Sequence, residues 1–283
     1  MTRVAVTGYA SLDHVVLLDG AVRPGMTTTI LDRPRDAWPR LGGSPAFVAA
    51  ALVQAGIGTV TPVSWVGDDE AGQDYLRRLA AAGMSGDGIA IVPGARTPVA
   101  ILAYDPDGGC ACLYHPGLPK DLSLTPAQRD AVAAADWVCL TIGPRAITDA
   151  VLALIGDRTR LAWVVKNDPR ALTPEQAARL AGRADAIFAS AAEAEFLAAA
   201  FAAAPGRRDG QILVETQGRR GAAVTCRGRM TFVPAEAVSV ADPTGAGDTF
   251  AGGAVAALIG GETEPAAIAA AGNLAARRML LAR

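Results

Sequence analysis

The sequence predicts an α/β fold, with a mostly parallel central sheet between two layers of helices and a small β excursion to one side. Three observations carry this reading. From Trp137 to Thr216, aliphatic and β-branched runs alternate with helical stretches, the order that parallel strands joined by right-handed crossovers produce. Between Thr97 and His115, two alternating runs instead flank a tight turn, the pattern of an antiparallel hairpin. The chain has 283 residues, 51% hydrophobic and 19% charged, which is enough to bury one large core.

The elements follow in order. Arg3 to Thr7 (RVAVT) and Asp13 to Leu18 (DHVVLL) read as strands around the bend Gly8 to Ser11. A helix comes next, with Ser44 as N-cap, Pro45 in the first helical position and Gly56 or Gly58 at its end. Val60 to Val66 is a strand, and Asp69 to Ala82 a helix stopped by Gly83. PVAILAY and CACLY are the hairpin strands around Asp105-Pro106-Asp107-Gly108-Gly109. Then come strand WVCLTIG, helix 147–155, strand LAWVVK, helix 174–182, strand AIFAS, helix 191–203 and strand QILVET. Two short strands, GAAVTC and MTFVPA, precede closing helices over about 246–259 and 264–281. Residues 1–283 are therefore expected to form a single domain, its excursion drawn from about 13–32 and 97–115.

Composition excludes several classes. Twenty-six Lys and Arg against 28 Asp and Glu leave a formal charge of −2, without the basic surplus that duplex binding uses, so nucleic acid is not expected as a partner. The longest apolar runs, such as Phe196 to Ala204, fall short of the ~18 residues a bilayer span requires, so no membrane partner is expected. The start of the chain lacks the pattern of a signal peptide, and a cytoplasmic location is expected. Cys110, Cys112, Cys139 and Cys226 are too few for a disulfide framework and read as reduced thiols. There is no Gly-Lys pair, hence no Walker A loop, and no Gly-x-Gly-x-x-Gly after the first strand.

The most informative stretch runs from Ala241 to Phe250, ADPTGAGDTF, and opens a predicted helix. Gly245, Ala246 and Gly247 have little or no side chain, so their amides are able to approach an anion at the positive end of the helix dipole. Asp248 would sit in the first turn beside that cradle, where a carboxylate accepts the proton of a hydroxyl attacking phosphorus. The other reading of these residues is a glycine-rich turn with a helix-start acid. Further back, LGGSPAFVA (Leu41 to Ala49) brings a di-glycine into a small-residue helix, whose start offers N–H donors to hydroxyls.

The ten-residue string resembles the C-terminal signature of the ribokinase-like, or PfkB, family of carbohydrate kinases. It is joined by the di-glycine block, by Val66 to Gly72 (VGDDEAG) and by Ser11-Leu12-Asp13, each similar to a family block and all in family order. The resemblance implies a ribokinase-like three-layer α/β/α domain with a small β-sheet lid. It further implies ATP-dependent transfer of the γ-phosphoryl group to a hydroxyl of a small sugar, with a nucleoside kinase or a sugar-binding regulator as alternatives. Asp248 would be the base, and the amides of Gly245, Ala246 and Gly247 the anion hole. Asp13, Gly42 and Gly43 would bind the acceptor. Thr216, Gly218 and Gly221, in a Thr-x-Gly-x-x-Gly loop, would face the nucleotide with Ser190 and Asn273. Glu193 would organise Mg2+ through water, and Asp242 and Thr244 are the candidates for holding K+. A homodimer paired through the lids is the expected assembly.

The chain departs from the family pattern at three places. Ser190 replaces the Asn of the usual Asn-x-x-Glu, and Phe47 replaces a late Asn of the di-glycine signature, where its ring would either stack on substrate or join the core. The segment Lys166 to Arg170 reads KNDPR, and its polar run after a buried strand suggests a loop facing the site or a plain connector. His115, Tyr104 and Tyr114 are candidates for the lid side of a substrate pocket.

Overall fold

The computed structural model describes residues 1–283. The first half contains β1 (Arg3–Thr7), β2 (Ser11–Leu18), β3 (Ile30–Asp32), β4 (Arg40–Gly42), α1 (Ser44–Gln54), β5 (Thr59–Gly67), α2 (Glu70–Ala81), β6 (Ile89–Val92), β7 (Val99–Tyr104), β8 (Cys110–His115) and α3 (Pro126–Ala133). The second contains β9 (Trp137–Leu140), α4 (Arg145–Leu154), β10 (Arg160–Val164), α5 (Pro174–Arg183), β11 (Ala186–Ser190), α6 (Ala194–Ala203), β12 (Ile212–Thr216), β13 (Gly221–Cys226), β14 (Arg229–Pro234), α7 (Ala246–Ile259) and α8 (Pro265–Leu281).

Nine strands build the large sheet in the order β14-β13-β12-β11-β10-β9-β1-β5-β6. From β12 through β6 the strands run parallel, while β13 and β14 close the edge antiparallel. Successive side chains take opposite faces, and both faces are covered. Val4, Val6, Cys139 and Phe188 pack with Leu52 of α1, Phe250 of α7 and Ile268 of α8. Ala5, Val138, Leu140, Trp163 and Ile187 pack with Val132 of α3, Val151 of α4, Leu180 of α5 and Leu197 of α6. This is the three-layer arrangement the alternation predicts. No helix is long and apolar enough to cross a membrane.

The second sheet has the order β3-β2-β7-β8, with β4 added on β2. Only β2 and β7 run parallel; the other pairs are antiparallel. β4 lies outside the segments expected to form the excursion, because three residues leave no alternation to detect. The β6 strand and α3 were likewise not expected, although Thr125 and Gln128 close a capping box at the start of α3. Two helix starts also differ from expectation. Gly43, at φ +86°, is the N-cap of α1 and Ser44 its first residue. Residues 191–193 form a 3-10 turn before α6, tightened by the Ser190–Glu193 capping box.

The parallel strands end on one edge, where Thr7 neighbours Leu140 and Ser190 neighbours Thr216. β2 leaves β1 directly at that edge and carries the small sheet over it. Ligands of open parallel sheets sit outside such carboxyl ends.

Candidate active site

Gly245 adopts φ +76°, a left-handed conformation that glycine takes without strain, and caps α7. A Cβ there would also come within 2.5 Å of the Phe47 ring. The Ala246 amide donates to Pro243 O at 3.0 Å, whereas the amides of Gly245 and Gly247 make no hydrogen bond within the protein. Two free donors therefore stand at the positive end of α7, not the three the sequence suggests.

Asp248 lies in the first turn of α7 and is partly open to solvent. Crowding by neighbouring protein is the largest influence on its carboxyl and pushes its pKa up to about 6. The Ser44 hydroxyl and the Lys166 ammonium pull it down, while the charges of Glu193 and Asp13 push it up. These five side chains thus converge from α1, α7, β2 and the ends of β10 and β11. The convergence is enforced by packing: Gly252 of α7 has no room for a Cβ, which would meet Val48 O at 2.6 Å. The N-termini of α1 and α7 are drawn together with both dipoles toward the site.

On one side of Asp248 lie the residues expected to bind an acceptor. Pairing of β2 with β4 sets Gly42 opposite Ser11 and Arg40 opposite Asp13. A Cβ on Gly42 would collide with the Asp13 carboxylate, and one on Gly43 with Tyr9 O, so the di-glycine lets backbone lie flat against this acid. Asp13 is buried, accepts from Ser11 Oγ at 2.6 Å, and is raised above the ordinary carboxylate range chiefly by burial. Burial and the Asp168 charge raise the Tyr9 hydroxyl, whereas Arg145 and Arg170 pull it back; Arg145 Nη2 donates to Pro169 O at 2.5 Å and Arg170 Nε pairs with Asp168 at 3.3 Å.

On the other side is a cleft of about 740 Å³. Thr216, Gly218, Gly221, Asn273, Ala246, Gly247 and Phe250 all line it, under Asp105 to Gly108 of the β7–β8 turn. Gly221, at φ +121°, sits too close to β14 to carry a side chain. Asn273 Nδ2 donates to Pro234 O at 3.3 Å.

Four expected residues are engaged differently. Ser190 does not line the cleft; its amide and hydroxyl donate to Glu193 Oε2 at 2.7 and 2.6 Å, so it orients that carboxylate. Phe47 is half-buried; its ring backs Gly245, with the Arg283 guanidinium carbon 5.9 Å from its centre. Asp242 and Thr244 have their oxygens occupied by Arg40, Arg283, the Thr244 amide and the Tyr104 hydroxyl. Ser44, Lys166, Arg40 and Arg283 were not singled out from the sequence as site residues. Lys166 stood in the anomalous KNDPR run and lies 3.8 Å from Glu193 Oε1; Ser44 stood in the di-glycine block and read only as a helix cap, while Arg40 and Arg283 carried no local signal.

A raised acid between two helix N-termini, with a nucleotide-sized cleft on one flank and a second buried acid on the other, suits transfer of a phosphoryl group to an alcohol. The protein is thus a phosphotransferase of the α/β/α type. Residues 1–279 match the model of the pfkB family carbohydrate kinases, and the chain belongs to that family. It is 30% identical to the ATP-dependent ribose-1-phosphate kinase of Halopiger xanaduensis, over 94% of this chain and 88% of that protein. It is 26% identical to the nucleoside kinase of Methanothermobacter thermautotrophicus, over 90% and 82% of the two chains. The fold is shared with the ribokinase of Cryptococcus neoformans in complex with ADP, at a TM-score of 0.80 and 24% identity over 98% of this chain and 93% of that one. It is shared too with the Burkholderia thailandensis nucleoside kinase in complex with inosine, at 0.76 and 20% over 96% and 90%.

Proposed function

We propose that this carbohydrate kinase uses ATP bound in the 740 Å³ cleft and an acceptor seated on Asp13 and the Gly42-Gly43 backbone, with Asp248 as the base between them. The observation that carries the reading is Asp248 itself, raised to about 6 and set beside the free amides of Gly245 and Gly247. A base with that affinity for protons is ionised at neutral pH yet draws a hydroxyl proton more strongly than an ordinary carboxylate. As the acceptor oxygen attacks, the two amides hold the transferring group and Lys166 lies near enough to offset its charge.

Glu193 fits an outer-sphere role toward Mg2+, because its Oε1 faces the site while Ser190 fixes Oε2, and Mg2+ keeps its waters and binds mainly through a nucleotide's phosphates. When bound, Mg2+ would neutralise phosphate charge. The small sheet serves as a lid that excludes water from the transfer. Its outer face exposes Ile101 and Leu113, paired across β7 and β8, which supports a homodimer joined through the lids.

The acceptor is a small sugar. A relative named as a ribose-1-phosphate kinase favours a sugar already bearing a phosphate, for which Arg145 and Arg170, held at the loop after β10 through Pro169 O and Asp168, are the candidate guanidinium partners. The nucleoside alternative rests on the relatives alone, since Phe47 is engaged against Gly245. Coupled measurement of ADP release with sugars, sugar phosphates and nucleosides separates them. The expected result is turnover with a sugar or sugar phosphate. Acceptor binding without ADP release for any member would instead make the protein a regulator.

A further inference from the structure

The loop that leads into α7 is held by two arginines. Asp242 Oδ1 accepts from the Thr244 amide at 3.0 Å. Arg40 pairs with Asp242 Oδ2. Arg283 Nη1 donates to Asp242 O at 2.9 Å and reaches Oδ2 at 3.4 Å, while its Nη2 donates to Thr244 O at 2.5 Å. The remaining oxygen, Thr244 Oγ1, is 2.7 Å from the Tyr104 hydroxyl. The arrangement is enclosed, with the side chains of Arg40, Asp242 and Arg283 exposed by only 10%, 11% and 15%. Phe47 closes the far side and turns its π face toward the Arg283 guanidinium.

These residues do not fit a K+ ion. An alkali cation binds by replacing its water with several oxygens, and here every oxygen of Asp242 and the carbonyl of Thr244 already accept hydrogen bonds from the protein. The charge balance points the same way. Two guanidinium groups share the Asp242 carboxylate, and burial together with the Arg40 charge holds Arg283 below its usual pKa, against the opposing pull of Asp242, Tyr104 and Asp36. A third cation would meet the same repulsion.

We infer that Arg283, braced by Arg40 and Phe47, is a built-in cation that shapes the loop ahead of the anion-binding amides and makes this kinase independent of monovalent metal ions. The guanidinium fork is suited to the task, because its planar donors span the Asp242 and Thr244 carbonyls in one fixed geometry. Thr244 O and the Gly245 N–H belong to one planar peptide, so the bond from Arg283 to Thr244 O fixes the direction of the free Gly245 amide and leads the chain into the turn that carries the Gly247 amide. Arg283 is a positioning residue and acts through that loop. The inference rests on the kinase reading for its effect on turnover, though not for its effect on cation binding.

The test compares wild type, Arg283→Ala and Arg283→Lys in KCl, NaCl and choline chloride at equal ionic strength, by thermal melting and by ADP release. Wild type is expected to melt at the same temperature and turn over at the same rate in all three salts. Arg283→Ala is expected to lose between about tenfold and a hundredfold in kcat, with acceptor KM little changed. It is also expected to gain a melting temperature and rate that rise with K+ over choline, as the vacated oxygens accept the ion. Arg283→Lys should keep more activity than the alanine variant. Wild type that melts higher in K+ than in choline would overturn the inference whether or not it turns over. So would an alanine variant indistinguishable from wild type in both measurements. Failure of wild type to release ADP with any acceptor in any salt would count against the kinase reading alone, leaving the melting comparison to decide this one.

Discussion

A carboxylate beside two helix N-termini ordinarily titrates low, because both dipoles favour its anion. Asp248 instead rises to about 6, since the displacement of water around it outweighs the Ser44 hydroxyl and the Lys166 charge. The sign of the pH dependence follows. The base works only when ionised, so kcat/KM of the free enzyme is expected to fall about tenfold per pH unit below about 6 and to be level above it, as a pH–rate series will show. Stability runs the opposite way. The fold binds this proton more tightly than the unfolded chain, whose carboxyl titrates near 3.8, so ionised Asp248 costs stability at neutral pH. Much of this residue's role is written locally: glycines at 245 and 247 and an acid at 248 stand in one string. Its partner Lys166 was visible only as a break in pattern, and Arg283 not at all. The bond from Arg283 to Thr244 spans 39 residues, and nothing in the residues that follow α8 announces where a guanidinium will land.

Among the elements, α7 is the one whose limits the sequence shows best, from Ala246 to Ile259, because a glycine-rich turn opens it and Gly260-Gly261 closes it. What the sequence does not show is how closely it is pressed between neighbours. Gly252 abuts α1, and Gly253 abuts α8 with Ala275 Cβ 2.5 Å from where its own would stand. Gly252→Val would force α7 away from α1 and is expected to destabilise the protein by about 1–3 kcal/mol. Denaturant unfolding would report that loss. Turnover should drop further than stability alone requires, because the Ser44–Asp248 contact depends on the same spacing. Short edge strands were the least legible elements. β3 and β4 have three residues each and are defined by pairing with β2, a long-range property that no local pattern encodes.

At the scale of the molecule, the small sheet meets the loop before α7 through a polar contact, Tyr104 to Thr244 at 2.7 Å, and reaches over the cleft through the β7–β8 turn. The hairpin could be read from alternation and turn residues; its closure onto the loop before α7 depends on tertiary geometry. Tyr104→Phe removes one hydrogen bond, worth about 0.5–1.5 kcal/mol. The lid should then open more often, and ADP release without acceptor should rise while the fold persists. The most direct test of the whole account is Asp248→Asn, which keeps the shape of the side chain and removes its basicity. Calorimetry is expected to show ATP bound as in wild type and a melting temperature at pH 7 no lower, while kcat falls by about 10²–10⁴ or more. Substantial turnover by this variant would contradict the account, and the proton would have to leave by another group.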